Sequence, residues 1–222
     1  MSVYPNLEKI REVCNSFIGQ VITLSVLFMS KNIPIAEPDI VGKMLENIFF
    51  PFFQESCPDL EINPIKQTSP DYYGLQREFQ FEMKAFLGSP GFDISNCISL
   101  MNKISQPGGL IKKLFKTKYI IFEYAISDNN IKIKNYWLID IWHLPTYSNT
   151  YPISLQNRNK QWTNFRPGPS SGFSDKDKTP QLFIEKLLEC ISIYPNLSDN
   201  DKERYRTSIL SQVEEAKIQG FL

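Results

Sequence analysis

The sequence is short of histidine, of closely spaced cysteine and of long apolar runs, and each shortage removes a class of function. A single histidine, His143, serves all 222 residues. A Ser–His–Asp or Cys–His site would have to be built on it, and no nucleophile motif accompanies it. The four cysteines, Cys14, Cys57, Cys97 and Cys190, lie far apart and lack the short spacing of zinc ligands. They suggest no disulfide framework in a chain of this length, so we read them as small buried apolar side chains in a reducing cytoplasm. The apolar run from Phe17 to Met29 is broken by Gly19 and Gln20, is too short to span a bilayer and follows no basic region. We therefore expect an intracellular protein with no membrane association. There is no glycine-rich phosphate loop of Walker type and no dinucleotide fingerprint. Formal net charge is zero, so a polyanionic partner must be met by local clusters of charge rather than by the whole surface.

What is present is enough apolar material, 42% of residues, for one sizeable core, and we expect a single domain over 1–222. Leu7, Ile10, Cys14, Phe17, Val21 and Leu24 recur at helical spacing, which predicts a helix over 7–28 with Asn6 as N-cap. A second helix is predicted from Pro38, with Ile40, Val41, Met44, Leu45, Ile48 and Phe49 on one face and a stop at Pro51. Phe50, Phe52 and Phe53 join Phe49 in an aromatic cluster read as core or as a dimer contact. The period then changes. Residues 79–86 alternate apolar and polar as a half-buried strand does. Lys118–Ile126 and Tyr136–Leu144 read as two more strands, with a turn over Ser127–Asn130 between them. Arg166–Ser174 reads as loop. Thr179-Pro180 and Ser198 open the two closing helices. This order, with helices over about 7–50, a sheet over about 68–145, a loop over about 146–175 and helices over about 179–218, predicts an α/β or α+β domain.

The strand at 79–86 carries the chemistry. Alternation puts Phe79, Phe81, Met83 and Ala85 on one face and Gln80, Glu82 and Lys84 on the other, so a carboxylate and an ammonium point the same way about 7 Å apart. Upstream stands Asp71, and Gly74 with the polar residues after it can turn the chain to bring Asp71 beside Glu82. Phosphodiester hydrolysis needs such groups. Two carboxylates hold Mg²⁺, which takes hard oxygen ligands and keeps several waters, and a lysine positions the attacking water or stabilises the developing anion. Gln80 shares the face and is a candidate to assist at the phosphate. The plain alternative is a solvated strand face carrying an ordinary cross-strand ion pair.

Pro70-Asp71 followed by Glu82-Met83-Lys84 resembles the PD-(D/E)xK nuclease superfamily, especially the type II restriction endonucleases, and length and general character are similar to an NspV-type enzyme. The resemblance implies a central mixed β-sheet flanked by helices, Mg²⁺ as cofactor and cleavage of double-stranded DNA at a short palindromic site to leave 5′-phosphate ends. It also implies a homodimer, and a cognate DNA methyltransferase as a genetic rather than physical partner. Carried over by position, Asp71 and Glu82 would be metal ligands and Lys84 the catalytic lysine. Some members add an acid from a preceding helix. Glu46 is the candidate here, but it lies opposite the apolar stripe of helix 38–49 and reads better as a surface glutamate.

Charge is unevenly spread. Residues 94–122 contain no acid but carry Lys103, Lys112, Lys113, Lys116 and Lys118. Residues 141–174 are also acid-free and carry Arg158, Lys160 and Arg166. Such windows supply the sequence-independent share of DNA affinity. Within the second, Asn157, Arg158, Asn159, Lys160, Gln161, Trp162 and Arg166 concentrate the amides and cations that read base edges, and we expect this loop to contact DNA, with Lys112 and Lys113 contributing from the first window. An ordinary polar loop is the alternative. Leu87–Phe92 reads either as a glycine-permitted approach to a DNA backbone or as a simple turn. Asp140 and His143 read as a partly buried structural pair rather than as assistants at the DNA. Two rivals remain open: a non-catalytic DNA-binding or accessory protein, and a structure-specific repair nuclease with the same core.

Overall fold

The apolar spacing at the amino end makes a helix, though a shorter one than predicted. In the computed structural model, which describes residues 7–35, 37–65, 69–74, 77–159 and 161–222, α1 covers Leu7–Phe17. Asn6, the predicted cap, and Lys160 lie outside the described residues. The stripe Ile10, Val13, Cys14 and Phe17 is buried as expected. The helix ends because Gly19 adopts a left-handed φ of 81° and turns its N–H to the Ile133 carbonyl at 2.9 Å. Beyond it, the β-branched Val-Ile-Thr becomes β1 (Val21–Thr23), and β2 (Ser25–Phe28) pairs antiparallel with β3 (Lys31–Pro34). Helix α2 (Pro38–Ser56) starts where predicted but runs through Pro51. The carbonyl that Pro51 leaves without a helical donor belongs to Asn47, one turn back on the same exposed face, where water can serve it. The apolar side chains Phe49, Phe50 and Phe53 meanwhile hold the helix to the core.

The chain divides into two compact units. The first, Met1–Ser89 with Tyr119–Leu138, contains β4 (Glu61–Ile62), β5 (Tyr72–Gly74) and β6 (Phe79–Leu87). With β8 (Thr117–Ser127) and β9 (Asn130–Ile139) these form a six-stranded sheet in the order β1-β9-β8-β6-β5-β4. Strands β8 and β9 are joined by Asp128 and Asn129, both at positive φ, which is the twist a two-residue hairpin turn requires. Strand β9 starts six residues earlier than predicted. Its first half alternates buried Ile131 and Ile133 with exposed Lys132 and Lys134, a weaker apolar signal than the aromatic half that follows. It also ends sooner, at Ile139, and Ile141–His143 form a 3-10 turn. Phe17 stacks on Phe49 with ring centres 4.3 Å apart, and Phe122 meets Phe49 edge-on at 4.8 Å. Three of the four clustered phenylalanines are thus core residues of this unit, whereas Phe52 is half exposed.

The second unit, Pro90–Lys118 with Ile139–Leu222, contains β7 (Ser95–Asn96), α3 (Cys97–Ser105), α4 (Gly109–Leu114), α5 (Pro180–Ile193) and α6 (Asp199–Ile218). Helices α3 and α4 have no counterpart in the sequence reading. Asn96 caps α3 by accepting the Ser99 N–H at 3.0 Å. Only glycine fits position 109, where an added Cβ would lie 2.0 Å from the Lys103 carbonyl. The segment read as a DNA-contacting loop is largely a hairpin. Strands β10 (Leu155–Arg158) and β11 (Gln161–Phe165) pair antiparallel, and β11 pairs in turn with β7. Helices α5 and α6 begin as predicted, their caps Thr179 and Ser198 accepting N–H bonds from Leu182 and Asp201 at 3.1 Å each. Thr179→Ala should cost about 1 kcal/mol of stability in urea denaturation, the ordinary value of a lost N-cap. All four cysteines are buried and free. No helix among the described residues is long and apolar enough to cross a membrane. The α+β expectation, a central mixed sheet with flanking helices, agrees with this architecture.

Candidate active site

Register explains how Asp71 and Glu82 meet. Strands β5 and β6 are antiparallel with Tyr72 opposite Phe81 and Tyr73 opposite Gln80, so the next step outward sets Asp71 opposite Glu82. Backbone bonds extend the pairing past the strand end, since the Asp71 N–H donates to the Phe81 carbonyl at 3.0 Å. The Asp71 side chain is fixed in turn, because its Oδ2 accepts the Met83 N–H at 2.7 Å. Lys84 Nζ lies 3.8 Å from Asp71 Oδ2 and 4.0 Å from Glu82 Oε2, so both carboxylates face one ammonium. Those distances are Coulombic contacts, too long for hydrogen bonds.

The strand is not half-buried. Glu82 is 4% exposed and Gln80 8%, so the polar face of β6 is covered as thoroughly as the apolar one. A solvated strand face is thereby excluded as the setting of Glu82. Ser69 donates a hydroxyl hydrogen bond to Glu82 Oε1, and the Asn63 side-chain amide holds the Pro70 carbonyl at 2.8 Å. Ser69 and Asn63 were not singled out from sequence. Ser69 could have been found by its place directly before Pro70-Asp71, whereas Asn63 left no signal.

Glu46 is not the surface residue that the helical wheel suggests. Helix α2 packs against β6, with Gly42 so placed that a Cβ there would meet the Ala85 carbonyl at 3.7 Å. Glu46 is one turn on from Gly42 and on the same face, which carries it toward Lys84. Its side chain is mostly buried, pairs with Lys43 and interacts with both Lys84 and Asp71. The helix is fixed there by the Tyr72 hydroxyl, which donates to the Glu46 carbonyl at 2.6 Å.

Burial raises the pKa of Asp71 above its ordinary value. Lys84 opposes that shift and Glu82 adds to it. Glu46 is raised for the same leading reason, desolvation, again opposed by Lys84. Desolvation works against the Lys84 ammonium, but Glu82, Asp71 and Glu46 together outweigh it, and its pKa is raised. Lys84 is therefore a firmly protonated cation. Two ammonium groups, Lys84 and the Lys43 paired with Glu46, face three carboxylates and leave the cluster short of positive charge. Its donor set of hard carboxylate oxygens suits a divalent cation that keeps several of its waters, with Asp71 and Glu82 as the ligands. Among the described residues no group of three or more His, Cys, Asp or Glu side chains is arranged to hold a metal, so protein ligation would rest on these two carboxylates.

The remaining candidates fall elsewhere. Asn157, Arg158 and Asn159 are exposed at the end of the β10–β11 hairpin, with Gln161 beside them. Trp162 packs edge-on to Tyr151 and Tyr194, and its carbonyl accepts the Tyr194 hydroxyl at 2.6 Å. Arg166 pairs with Asp93 at 3.0 Å and donates to the Gly91 carbonyl. Lys112 is exposed on α4, but Lys113 is buried. Gly88 has a φ of 74° in a turn closed by the Ser89 N–H on the Leu87 carbonyl. His143 is a partly buried residue whose carbonyl accepts from Lys178 Nζ at 2.8 Å, and burial pushes its imidazole pKa down. Its neighbour Asp140 is bound to Lys118.

The fold is that of a restriction endonuclease. It superimposes on the NlaIV restriction endonuclease with a TM-score of 0.79 at 18% identity, covering 95% of this chain and 89% of that one. Residues 2–216 match the model of the NgoBV restriction endonuclease family, and the chain belongs to that family of type II site-specific deoxyribonucleases. The type II restriction enzyme NlaIV of Neisseria lactamica is 24% identical over 173 residues, 74% of this chain and 70% of that protein. The matching family is NgoBV rather than the NspV type that length and general character suggested.

Proposed function

We propose that this chain hydrolyses double-stranded DNA at a short palindromic sequence with Mg²⁺, leaving 5′-phosphate ends, and that Asp71, Glu82 and Lys84 carry the reaction. The observation that supports the assignment most strongly is the burial of Glu82 against Asp71 and Lys84 on a strand whose polar face should otherwise be wet. Buried carboxylates are costly to keep unless cations offset them, and Lys84 offsets only part of the charge of Asp71 and Glu82, which leaves a place for a cation that arrives later. Mg²⁺ held there supplies a Lewis acid for the phosphate and lowers the pKa of a bound water. Asp71 and Glu82 provide the ligands and are kept in place by the Met83 N–H and the Ser69 hydroxyl. Lys84 orients the attacking water or stabilises negative charge growing on the phosphate. Glu46 and Gln80 assist from α2 and β6. The exposed hairpin residues, Arg166 and Lys112 meet the DNA. We further propose a homodimer, one site per strand of a two-fold symmetric target, acting in the cytoplasm beside a methyltransferase that protects the same sequence.

Digestion of phage λ DNA and supercoiled plasmid, with Mg²⁺ and with EDTA, tests this. Discrete fragments that require the metal and vanish in Lys84→Ala are expected. Intact DNA under every divalent cation would instead leave a binding or accessory protein.

The raised pKa of Asp71 carries a pH prediction. Only the ionised carboxylate can take a cation, and as pH falls a group with a raised pKa takes up its proton sooner. At low Mg²⁺ the acid limb of the kcat/KM profile should therefore fall above the ordinary aspartate range, and it should move to lower pH as Mg²⁺ is raised, because the cation competes with the proton for the carboxylate. An acid limb that does not move with Mg²⁺ would contradict the role given to Asp71.

A further inference from the structure

The two faces of the β10–β11 hairpin differ. Asn157 and Trp162 are cross-strand partners on the face turned to Tyr151 and Tyr194, with the Asn157 amide reaching the Tyr151 hydroxyl at 3.3 Å. The next pair, Arg158 and Gln161, lies by alternation on the opposite face. Gln156 sits at the register irregularity between Leu155 and Asn157, and its side chain meets that of Arg158. With its carboxamide turned so that every donor finds an acceptor, the Gln156 oxygen accepts from Arg158 Nη2 at 3.0 Å, from Arg158 Nε at 3.2 Å and from Arg166 Nη2 at 2.8 Å. The amide nitrogen donates to Thr163 Oγ1 at 3.2 Å, and the Thr163 hydroxyl donates to the Gln156 backbone carbonyl at 3.2 Å.

Two guanidinium groups therefore converge on one neutral oxygen. Arg166 has a carboxylate of its own in Asp93, which the Asn164 amide also holds at 3.0 Å. Arg158 has none among the described residues and is exposed. A guanidinium offers five donors, and Gln156 engages only one edge of this one. The remaining edge is fixed in direction, and among the described residues none accepts a hydrogen bond from it. A two-stranded ribbon of this kind fits the major groove, and the acceptor pair matched to a planar arginine edge there is N7 and O6 of guanine.

We infer that Gln156 is a positioning residue for sequence recognition: it holds the Arg158 guanidinium so that its free edge is presented to a guanine in the major groove. This rests on the DNA-cleaving reading above. Two substitutions separate geometry from charge. Gln156→Ala leaves both arginines but removes the shared acceptor. Gln156→Glu keeps the acceptor and neutralises one positive charge.

Binding is measured with Ca²⁺ in place of Mg²⁺ on the cleaved sequence, on variants with each base pair exchanged, and on unrelated DNA over a range of salt. For Gln156→Ala, discrimination at one G·C pair of each half-site should fall about 10- to 100-fold. Its affinity for unrelated DNA, its salt slope and its thermal midpoint should stay at wild-type values. Gln156→Glu should retain the discrimination and lower the salt slope by about one. Undiminished discrimination in Gln156→Ala overturns the inference. A uniform loss on all DNA also overturns it, because Arg158 would then contact phosphate. A wild-type protein that cuts no DNA overturns the catalytic reading instead, and base preference in the sequence it selects from a random DNA pool by binding, compared with that of Gln156→Ala, then decides the role of Gln156.

Discussion

Glu82→Ala is expected to abolish cleavage, by at least about a thousand-fold, while DNA is still bound. Three properties of the site set that size. Glu82 is one of the two carboxylates proposed above as cation ligands, so its loss leaves Asp71 as the single proposed ligand. Glu82 itself is 4% exposed, so neither bulk solvent nor a neighbouring side chain among the described residues is placed to restore the missing oxygen in the same position. Lys84 also loses one of the charges that raise its pKa, which changes the group meant to steer the attacking water. Glu82→Gln is the sharper version, because the amide oxygen can still accept the Ser69 hydroxyl and the packing is preserved. Mobility-shift binding beside plasmid cleavage checks both variants. Cleavage by either at the wild-type rate would sink the assignment of the site.

The second large effect is on stability. Phe49 is 2% exposed, stacked on Phe17 and edge-on to Phe122, at the centre of the first unit's core. Phe49→Ala removes that burial and leaves a cavity among rings that cannot collapse into it, for a loss of about 3–5 kcal/mol. Set against a typical total of about 5–15 kcal/mol, this is a large part of the stability. Urea denaturation should show a lower midpoint with little change in slope. Phe52→Ala, half exposed on the same helix, should cost far less. Equal losses would mean that the two rings do not differ as their burial implies.

Much of the site was legible because strand alternation and hairpin register are short-range rules. Glu82 and Lys84 share a face by the pleat alone, and Asp71 needed only a turn to arrive opposite Glu82. Glu46 was misread because a helical wheel ranks faces by apolar content. A polar residue buried against another polar group looks there like a surface residue. The same blindness made β6 seem half-buried, since alternation records which side chains are polar and not what covers them. The early strands were read as helix because Val21 and Leu24 continue the apolar spacing of α1, and only the left-handed Gly19 breaks it. The hairpin was read as loop because its strands are built from amides rather than β-branched residues, and its turn at Asn159 depends on a positive φ that Asn tolerates.

The closure of that hairpin has a practical consequence. Leu155 is the cross-strand partner of Phe165, and the Arg166 N–H donates to the Ser154 carbonyl at 2.9 Å beside them, so the exposed segment enters and leaves at one closed rung, with a register irregularity between Leu155 and Asn157. Phe165 is buried, and Trp162 anchors the inner face against Tyr151 and Tyr194. The outer positions 158 and 161 thus form an interchangeable cassette on a fixed frame. Libraries confined to those positions should yield altered target preferences without rebuilding the fold, because the residues that hold the ribbon in place are not the ones being varied.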